Sequence, residues 1–201
     1  MQPKPSYLTP AEYLGLEQKS PAKREYVDGE IYAMVGGTRR HNLIASTLVC
    51  RAGIAAAAHG RVCQVFGSDM KVYVETHNCF YYPDLSAVCD SDDRHELFLS
   101  RPCFIVEVLS PSTAIIDRRE KRVAYLSLES LREYAIVNQD QMRVELYRRE
   151  DAGWRGYLLD QPDDVMESSR LRMSLTLQEV YEGVDLRSGI SEPEPPPYEY
   201  S

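Results

Sequence analysis

Apolar positions recur along this chain with two periods. The longer period is helical. Leu43, Thr47, Cys50 and Ile54 fall on one stripe, which Ile44 and Leu48 widen, so a helix is predicted over residues 41–59. The alanine run at 55–58 favours it and Gly60 closes it. A shorter helix is predicted over residues 6–16. Thr9 supplies its N-cap, Pro10 its first position and Glu12 the return bond of a capping box. Ser110-Pro111-Ser112-Thr113 offers caps for a third helix carrying Asp117, Lys121, Tyr125 and Leu128, and a last short one is expected over residues 177–184.

The shorter period marks strands. Residues 24–35 split at Asp28-Gly29, which predicts a hairpin that Gly36-Gly37 ends. Residues 61–75 are β-rich and interrupted at Gly67-Ser68-Asp69, where a bulge or short turn is expected. Residues 80–88 read as one strand. The acidic loop 90–96 reads as exposed. Residues 102–109 form the most continuous apolar run, so a central strand buried on both faces is expected there. On a period of two, Ile105, Glu107 and Leu109 share a face. Strands follow at 133–137 and 143–148, and 154–159 is expected to pair with the latter as a hairpin. After the first hairpin the order is helix, three strands, helix, strand, which predicts an α/β (α+β) class. One domain is expected over residues 1–186. The acidic, Pro-rich residues 187–201 cannot bury enough to fold and are expected to form a disordered tail.

Charge changes the picture through its distribution. The formal net charge is −8. Lys and Arg number 19 against 20 Asp and Glu in residues 1–150, but 4 against 11 from 151 onward. The acidity therefore lies mainly at the end, and the first three quarters need not repel a polyanion. The five cysteines include no Cys-x-x-Cys pair, and the N-terminus lacks an apolar signal region. No apolar run approaches the ~20 residues of a membrane span. These features predict a reduced, cytoplasmic protein with no membrane partner, its cysteines mostly small core residues. His77, Cys79 and Cys89 match no paired zinc spacing.

Candidate chemistry centres on two carboxylates in apolar surroundings, Asp84 after Pro83 and Glu107 within Ile-Val-Glu-Val-Leu. A buried carboxylate needs a positive partner. A divalent cation between Asp84 and Glu107 would supply one. Taken alone, the residues also fit blander roles. Glu107 fits a structural ion pair with Lys121. Asp117 and Lys121, four apart, fit a surface helix pair. Asp84 fits a strand edge, Glu25 a solvated edge charge, and the basic Thr38-Arg39-Arg40-His41 a solvated turn.

The spaced set is more specific than its parts. Glu25-Tyr26-Val27-Asp28-Gly29-Glu30, His41, Ser68-Asp69, Pro83-Asp84, Glu107-Val108-Leu109-Ser110-Pro111-Ser112-Thr113, and Asp117 with Lys121 resemble the PD-(D/E)XK nuclease superfamily, and within it the Uma-two branch, over residues 8–150. The resemblance implies a restriction-endonuclease-like core: a central mixed β-sheet flanked by helices in the order αβββαβ, with an N-terminal hairpin and extra C-terminal strands. It implies a metal-dependent endonuclease that hydrolyses DNA phosphodiesters with a metal-activated water and uses Mg2+ (or Mn2+) and no small-molecule cofactor. A homodimer is expected, because cutting both strands usually needs two sites and symmetric dimers are common. Asp84, Glu107 and the Val108 carbonyl would hold the metal, and Lys121 would orient the water or stabilise developing charge. Glu25 would add a metal or water contact and His41 a phosphate or water contact. The superfamily pattern wants a lysine two residues after the second acid, where this chain has Leu109. The alternative is a catalytically inactive nucleic-acid-binding or protein-interaction module on the same scaffold.

Overall fold

The computed structural model describes residues 7–60, 62–109 and 117–186, with Asp117 and Arg118 described for their backbone only. Helix α1 (Pro10–Glu17) has the expected capping box between Thr9 and Glu12. Asp28 and Gly29 both take positive φ, 45° and 99°, and so turn β1 (Arg24–Val27) back on β2 (Glu30–Ala33). A Cβ at Gly29 would stand 2.7 Å from the Tyr7 ring, so the turn is closed to larger residues on two grounds.

Helix α2 (Arg39–Ala58) starts at Thr38, whose hydroxyl accepts the His41 N–H at 3.2 Å. Its buried face overlaps the predicted one only in part. Ile44 and Leu48 are buried as expected, together with Ala52 and Ala56, while Leu43, Cys50 and Ile54 are exposed. The sheet instead takes the side with Ala52 and Ala56, where small residues let the helix come close.

β3 (Gln64–Gly67) and β4 (Lys71–Val74) are separated by a turn, and a 3-10 turn (Glu75–His77) leads to β5 (Cys79–Tyr81). The predicted strand 80–88 is in fact two. It breaks after Tyr81, and β6 (Leu85–Val88) joins a different sheet. Pro83 lies in the break, where it removes a donor that a ladder would need. In the acidic loop, Asp93 is buried and accepts the Ser100 and Arg101 N–H groups at 2.9 and 2.8 Å, against the expected exposure. β7 (Phe98–Leu99) was not anticipated and pairs parallel with β4.

β8 (Phe104–Leu109) is buried throughout, as its apolar run predicts. Antiparallel to β6 on one side, it runs parallel on the other to β9 (Glu133–Asn138). Residues 110–116, including Ser110 to Thr113 and the start of the predicted third helix, lie outside the described residues. The segment Asp117–Lys121 is a π-helical turn that runs into α3 (Arg122–Leu126), which ends before Leu128. The hairpin of β10 (Val144–Glu150) and β11 (Gly153–Leu159) forms as expected. β12 (Val165–Ser168) and β13 (Met173–Thr176) make a further hairpin before α4 (Leu177–Val180). The tail 187–201 lies outside the described residues.

Among the described residues the sheets are β2-β1-β5-β4-β7, β11-β10-β9-β8-β6-β3 and β12-β13. The six-stranded sheet separates two cores. On one face Phe104, Val106 and Val108 meet Ile44, Leu48 and Ala52 of α2. On the other, Ile105, Leu109 and Ile136 meet Val72, Val74 and Tyr81 of the five-stranded sheet and Tyr125 of α3. Each fully buried Leu or Ile contributes roughly 1.5–3 kcal/mol of transfer free energy. No described helix is long and apolar enough to cross a membrane.

The cysteines depart from the reduced expectation. Cys63 and Cys89 form a disulfide, while Cys50, Cys79 and Cys103 are free. The Gln64–Val88 pair, extended one step, sets Cys63 opposite Cys89 in an antiparallel ladder. A sequence separation of 26 does not reveal that juxtaposition.

Candidate active site

The site forms where the two large sheets meet. Glu107 comes from the middle of β8, on the face toward the five-stranded sheet, and is 4% exposed. Burial at this level requires compensation, and two donors provide it. The Tyr125 hydroxyl donates to Oε1 at 2.9 Å, and the Lys121 ammonium stands 3.4 Å from the same oxygen. Lys121 closes the π turn and is also 4% exposed. Its Nζ lies 2.8 Å from Glu25 Oε1 and 5.4 Å from the centre of the Tyr81 ring. Glu25 belongs to β1, and the same oxygen accepts the Tyr82 N–H at 3.3 Å. One lysine thus sits between two carboxylates supplied by two sheets, with an aromatic face beside it.

Asp84 directly precedes β6. The Leu85–Val106 pair, extended one step, sets Asp84 against Glu107 on the neighbouring strand. Asp84 Oδ2 accepts the Val108 N–H at 2.7 Å and lies 3.3 Å from His41 Nε2. His41 is in the first turn of α2. That turn is tied down by the Thr38 hydroxyl, which donates to the Gln139 side chain at 2.6 Å, and by Arg40 bound to Asp140 at 2.8 Å. The His41 ring rests against Gly37, where a Cβ would come within 2.7 Å of Nδ1.

The structure therefore brings Glu25, Lys121 and Glu107 into one ion cluster, and His41 and Asp84 into another. Two backbone bonds join them across neighbouring residues, Tyr82 to Glu25 and Val108 to Asp84. Leu109 is not part of either. It is buried among Ile105, Tyr134 and Ile136, so the lysine of the superfamily pattern is replaced there by a core side chain. Asp69 is exposed and pairs with Lys23, whose ammonium also donates to the Ser68 carbonyl at 2.9 Å. The side chain of Asp117 lies outside the described residues.

Tyr125, Tyr81 and Gly37 were not singled out from the sequence as site residues. Tyr125 had a usable signal, since it follows Lys121 by one helical turn. Burial, and then the charge of Glu107, hold its hydroxyl well above the usual tyrosine range. It therefore stays a neutral donor. Burial likewise raises Tyr81, which keeps an uncharged ring next to Lys121.

The family model described as Uma2, "Putative restriction endonuclease", matches residues 10–178. The chain belongs to this family. Two relatives from Synechocystis sp. (strain ATCC 27184 / PCC 6803 / Kazusa) also match. The uncharacterized protein slr1290 is 35% identical over 181 residues, covering 88% of this chain and 93% of the relative. The uncharacterized protein sll1609 is 31% identical over 155 residues, covering 76% and 85%. A crystal structure described as a "putative nuclease belonging to DUF820" from Anabaena variabilis ATCC 29413 superposes with a TM-score of 0.71 at 19% identity, covering 87% of this chain and 97% of that one. At that identity the likeness concerns the fold, a restriction-endonuclease-like α+β architecture.

Asp84 and Glu107 are hard oxygen donors at opposed positions of adjacent strands. Among the described residues no group of three His, Cys, Asp or Glu is arranged to hold a metal. Two carboxylates of this kind could hold a magnesium ion, which is commonly bound by one or two carboxylates and keeps several waters.

Proposed function

We propose that this protein is a metal-dependent endonuclease that hydrolyses DNA phosphodiester bonds by direct attack of water. The observation that carries the reading is the buried Lys121 ammonium, 2.8 Å from Glu25 and 3.4 Å from Glu107. A lysine from the helix thereby stands beside the second acid, in the role that Leu109 cannot fill. The family description and the name of the structural neighbour point the same way.

Asp84 and Glu107, with the Val108 carbonyl, would hold a magnesium or manganese ion. Bound there, the ion supplies Lewis acidity that activates water and offsets phosphate charge. The chain's own groups do the positioning. Tyr125 fixes the Glu107 carboxylate through one oxygen. Glu25 and Glu107 hold Lys121 in place, so its ammonium is preorganised to meet negative charge as it builds on a phosphate oxygen. The Val108 N–H and His41 orient Asp84. His41 Nε2 stands at the start of a helix, where a proton on the ring adds positive charge next to a bound phosphate. No covalent protein intermediate is needed. Two copies related by a twofold axis would present two such sites to a duplex, so we place the working unit as a homodimer.

Pure protein incubated with supercoiled plasmid and magnesium tests this reading. Nicking by the wild type, lost in Asp84→Ala and Lys121→Met and on chelation, is the expected result. Equal nicking by wild type and Asp84→Ala would sink it. A second reading rests on the ion cluster itself. Lys121 already pairs with both Glu25 and Glu107, which suits a non-catalytic nucleic-acid-binding module. Titration calorimetry with manganese separates the two, because a module of that kind shows DNA binding without metal heat.

A further inference from the structure

Three of the five cysteines meet at one end of the six-stranded sheet, away from the carboxylates. Cys63 is bonded to Cys89. The thiol of Cys103, the residue before β8, is directed at Cys89 Sγ from 3.1 Å. Its backbone is held there by the bond from the Cys103 N–H to the Ala87 carbonyl at 2.7 Å. Cys63 and Cys103 are buried, but Cys89 is partly exposed. It lines a cavity of about 500 Å3 shared with Arg101, Arg132 and Arg170, and also a cavity of about 230 Å3 that reaches Cys63. A disulfide with a free thiol in contact with its central sulfur has all the parts of an exchange reaction.

We infer that Cys63, Cys89 and Cys103 form a thiol–disulfide exchange site in which the bridge to Cys89 passes between Cys63 and Cys103. The step needs no outside oxidant. Cys103 gives its proton to solvent, and the thiolate attacks Cys89 Sγ. The Cys89–Cys103 bond forms as the Cys63–Cys89 bond breaks, and Cys63 leaves as a thiolate that takes up a proton. The number of disulfides is unchanged.

The exchange moves a covalent tie within the sheet. In the present state it links the start of β3 to the end of β6. After exchange it links the end of β6 to the start of β8. These strands also present Asp84, at the far end of β6, and Glu107, in the middle of β8, so the second state clamps together the pair that carries the site's two opposed acids. The chemistry does not depend on the proposed hydrolysis.

The thiol is poised but slow. Burial, with a smaller contribution from Glu133, pushes Cys103 up to about 11, and Arg170 opposes the rise. The cavity beside it adds Arg101 and Arg132 of one sign and Asp90 and Glu129 of the other. The attacking thiolate is therefore scarce at neutral pH, and its population grows roughly tenfold per pH unit below the Cys103 value.

Disulfide mapping tests the inference. Wild-type protein is held at pH 7 or pH 9, quenched in acid, denatured, alkylated and digested, and its linked peptides are identified by mass spectrometry. Both Cys63–Cys89 and Cys89–Cys103 peptides are expected, the second accumulating faster at pH 9. Cys63→Ser, oxidised with glutathione disulfide, is expected to give Cys89–Cys103, and Cys103→Ser to keep only Cys63–Cys89. Absence of a Cys89–Cys103 peptide from the wild type at both pH values overturns the inference, whatever the variants show. The wild-type readout stands even if a variant fails to fold.

Discussion

The Lys121 ammonium is nearer to Glu25, at 2.8 Å, than to Glu107, at 3.4 Å, although Glu107 is the more buried acid. Glu25 and Glu107 come from different sheets, so the lysine acts as an electrostatic bolt between them. Removing a buried cation leaves its carboxylates uncompensated. Lys121→Met is expected to lower stability by about 3–5 kcal/mol and to abolish nicking. Adding Glu107→Gln should recover much of the lost stability, because the two changes act on one cluster. Urea titration of the single and double variants measures this. Additive losses would show that the bolt does not exist.

Tyr125 separates a structural role from a chemical one. Its hydroxyl donates to the oxygen of Glu107 that Lys121 also approaches. Tyr125→Phe keeps the ring packed against Tyr81 and Tyr134 and removes only that donor. A hydrogen bond to a charged group is worth about 1.5–3 kcal/mol, so a stability loss in that range is expected. Manganese affinity, read by calorimetry, should fall with it, since the carboxylate is no longer held in one orientation. Unchanged affinity would remove Tyr125 from the site and leave it a core residue.

Much of this arrangement was legible in the sequence, for reasons that can be located. Glu107 announced itself as a charge inside a run of branched apolar residues, which only a paired charge tolerates. Asp28-Gly29 placed Glu25 on a strand of defined register, and Thr9 and Glu12 drew the first helix. Other features depended on information that local pattern does not hold. The turn of α2 was misjudged because Leu43 and Ile54 outweigh Ala52 and Ala56 on any hydrophobic scale, while the sheet selects for close approach. Residues 80–88 read as one strand because a change of sheet alters partners and not periodicity. The Cys63–Cys89 bond depends on the register between β3 and β6, and a separation of 26 residues encodes none of it locally. Tyr125 carries no role in the sequence reading beyond its place on the third helix; its ring is buried in the core, and only its hydroxyl belongs to the site.

Gly37 is expected to act through His41. The Cβ of an alanine at 37 would fall 2.7 Å from the ring Nδ1, so the ring must turn and give up its 3.3 Å approach to Asp84. No positive φ is involved at Gly37, so the backbone accepts alanine. Gly37→Ala should therefore leave the melting temperature within a few degrees of wild type. Nicking should fall by roughly 10- to 100-fold, the scale of a misplaced catalytic contact. Combined with His41→Ala it should add nothing. A further loss in the double variant would mean that Gly37 acts elsewhere.

The pH dependence of stability offers a test outside the site. Lys71 is buried beside the segment that leads into Asp84, and its ammonium donates to the Tyr82 hydroxyl at 3.2 Å. That hydroxyl in turn donates to Glu17 at 3.0 Å. Burial lowers the Lys71 pKa, and the charge of Glu17 only partly restores it. Between this lowered value and the ~10.4 of an unfolded lysine, the unfolded chain binds more protons than the folded one. Stability contributed through Lys71 therefore rises with pH across that window. The penalty is full below the folded value and gone above the unfolded one. Tyrosines raised by burial, such as Tyr13 and Tyr82, act in the opposite sense at the alkaline end, so the comparison must be a difference. Wild type minus Lys71→Met, measured by urea unfolding at pH 7, 8, 9 and 10, should shift in favour of the wild type once the pH passes the lowered Lys71 value. A flat difference would mean that the lysine keeps its ordinary affinity for a proton despite its burial. A difference of opposite slope would mean that Glu17 outweighs desolvation and holds the ammonium more tightly folded than free.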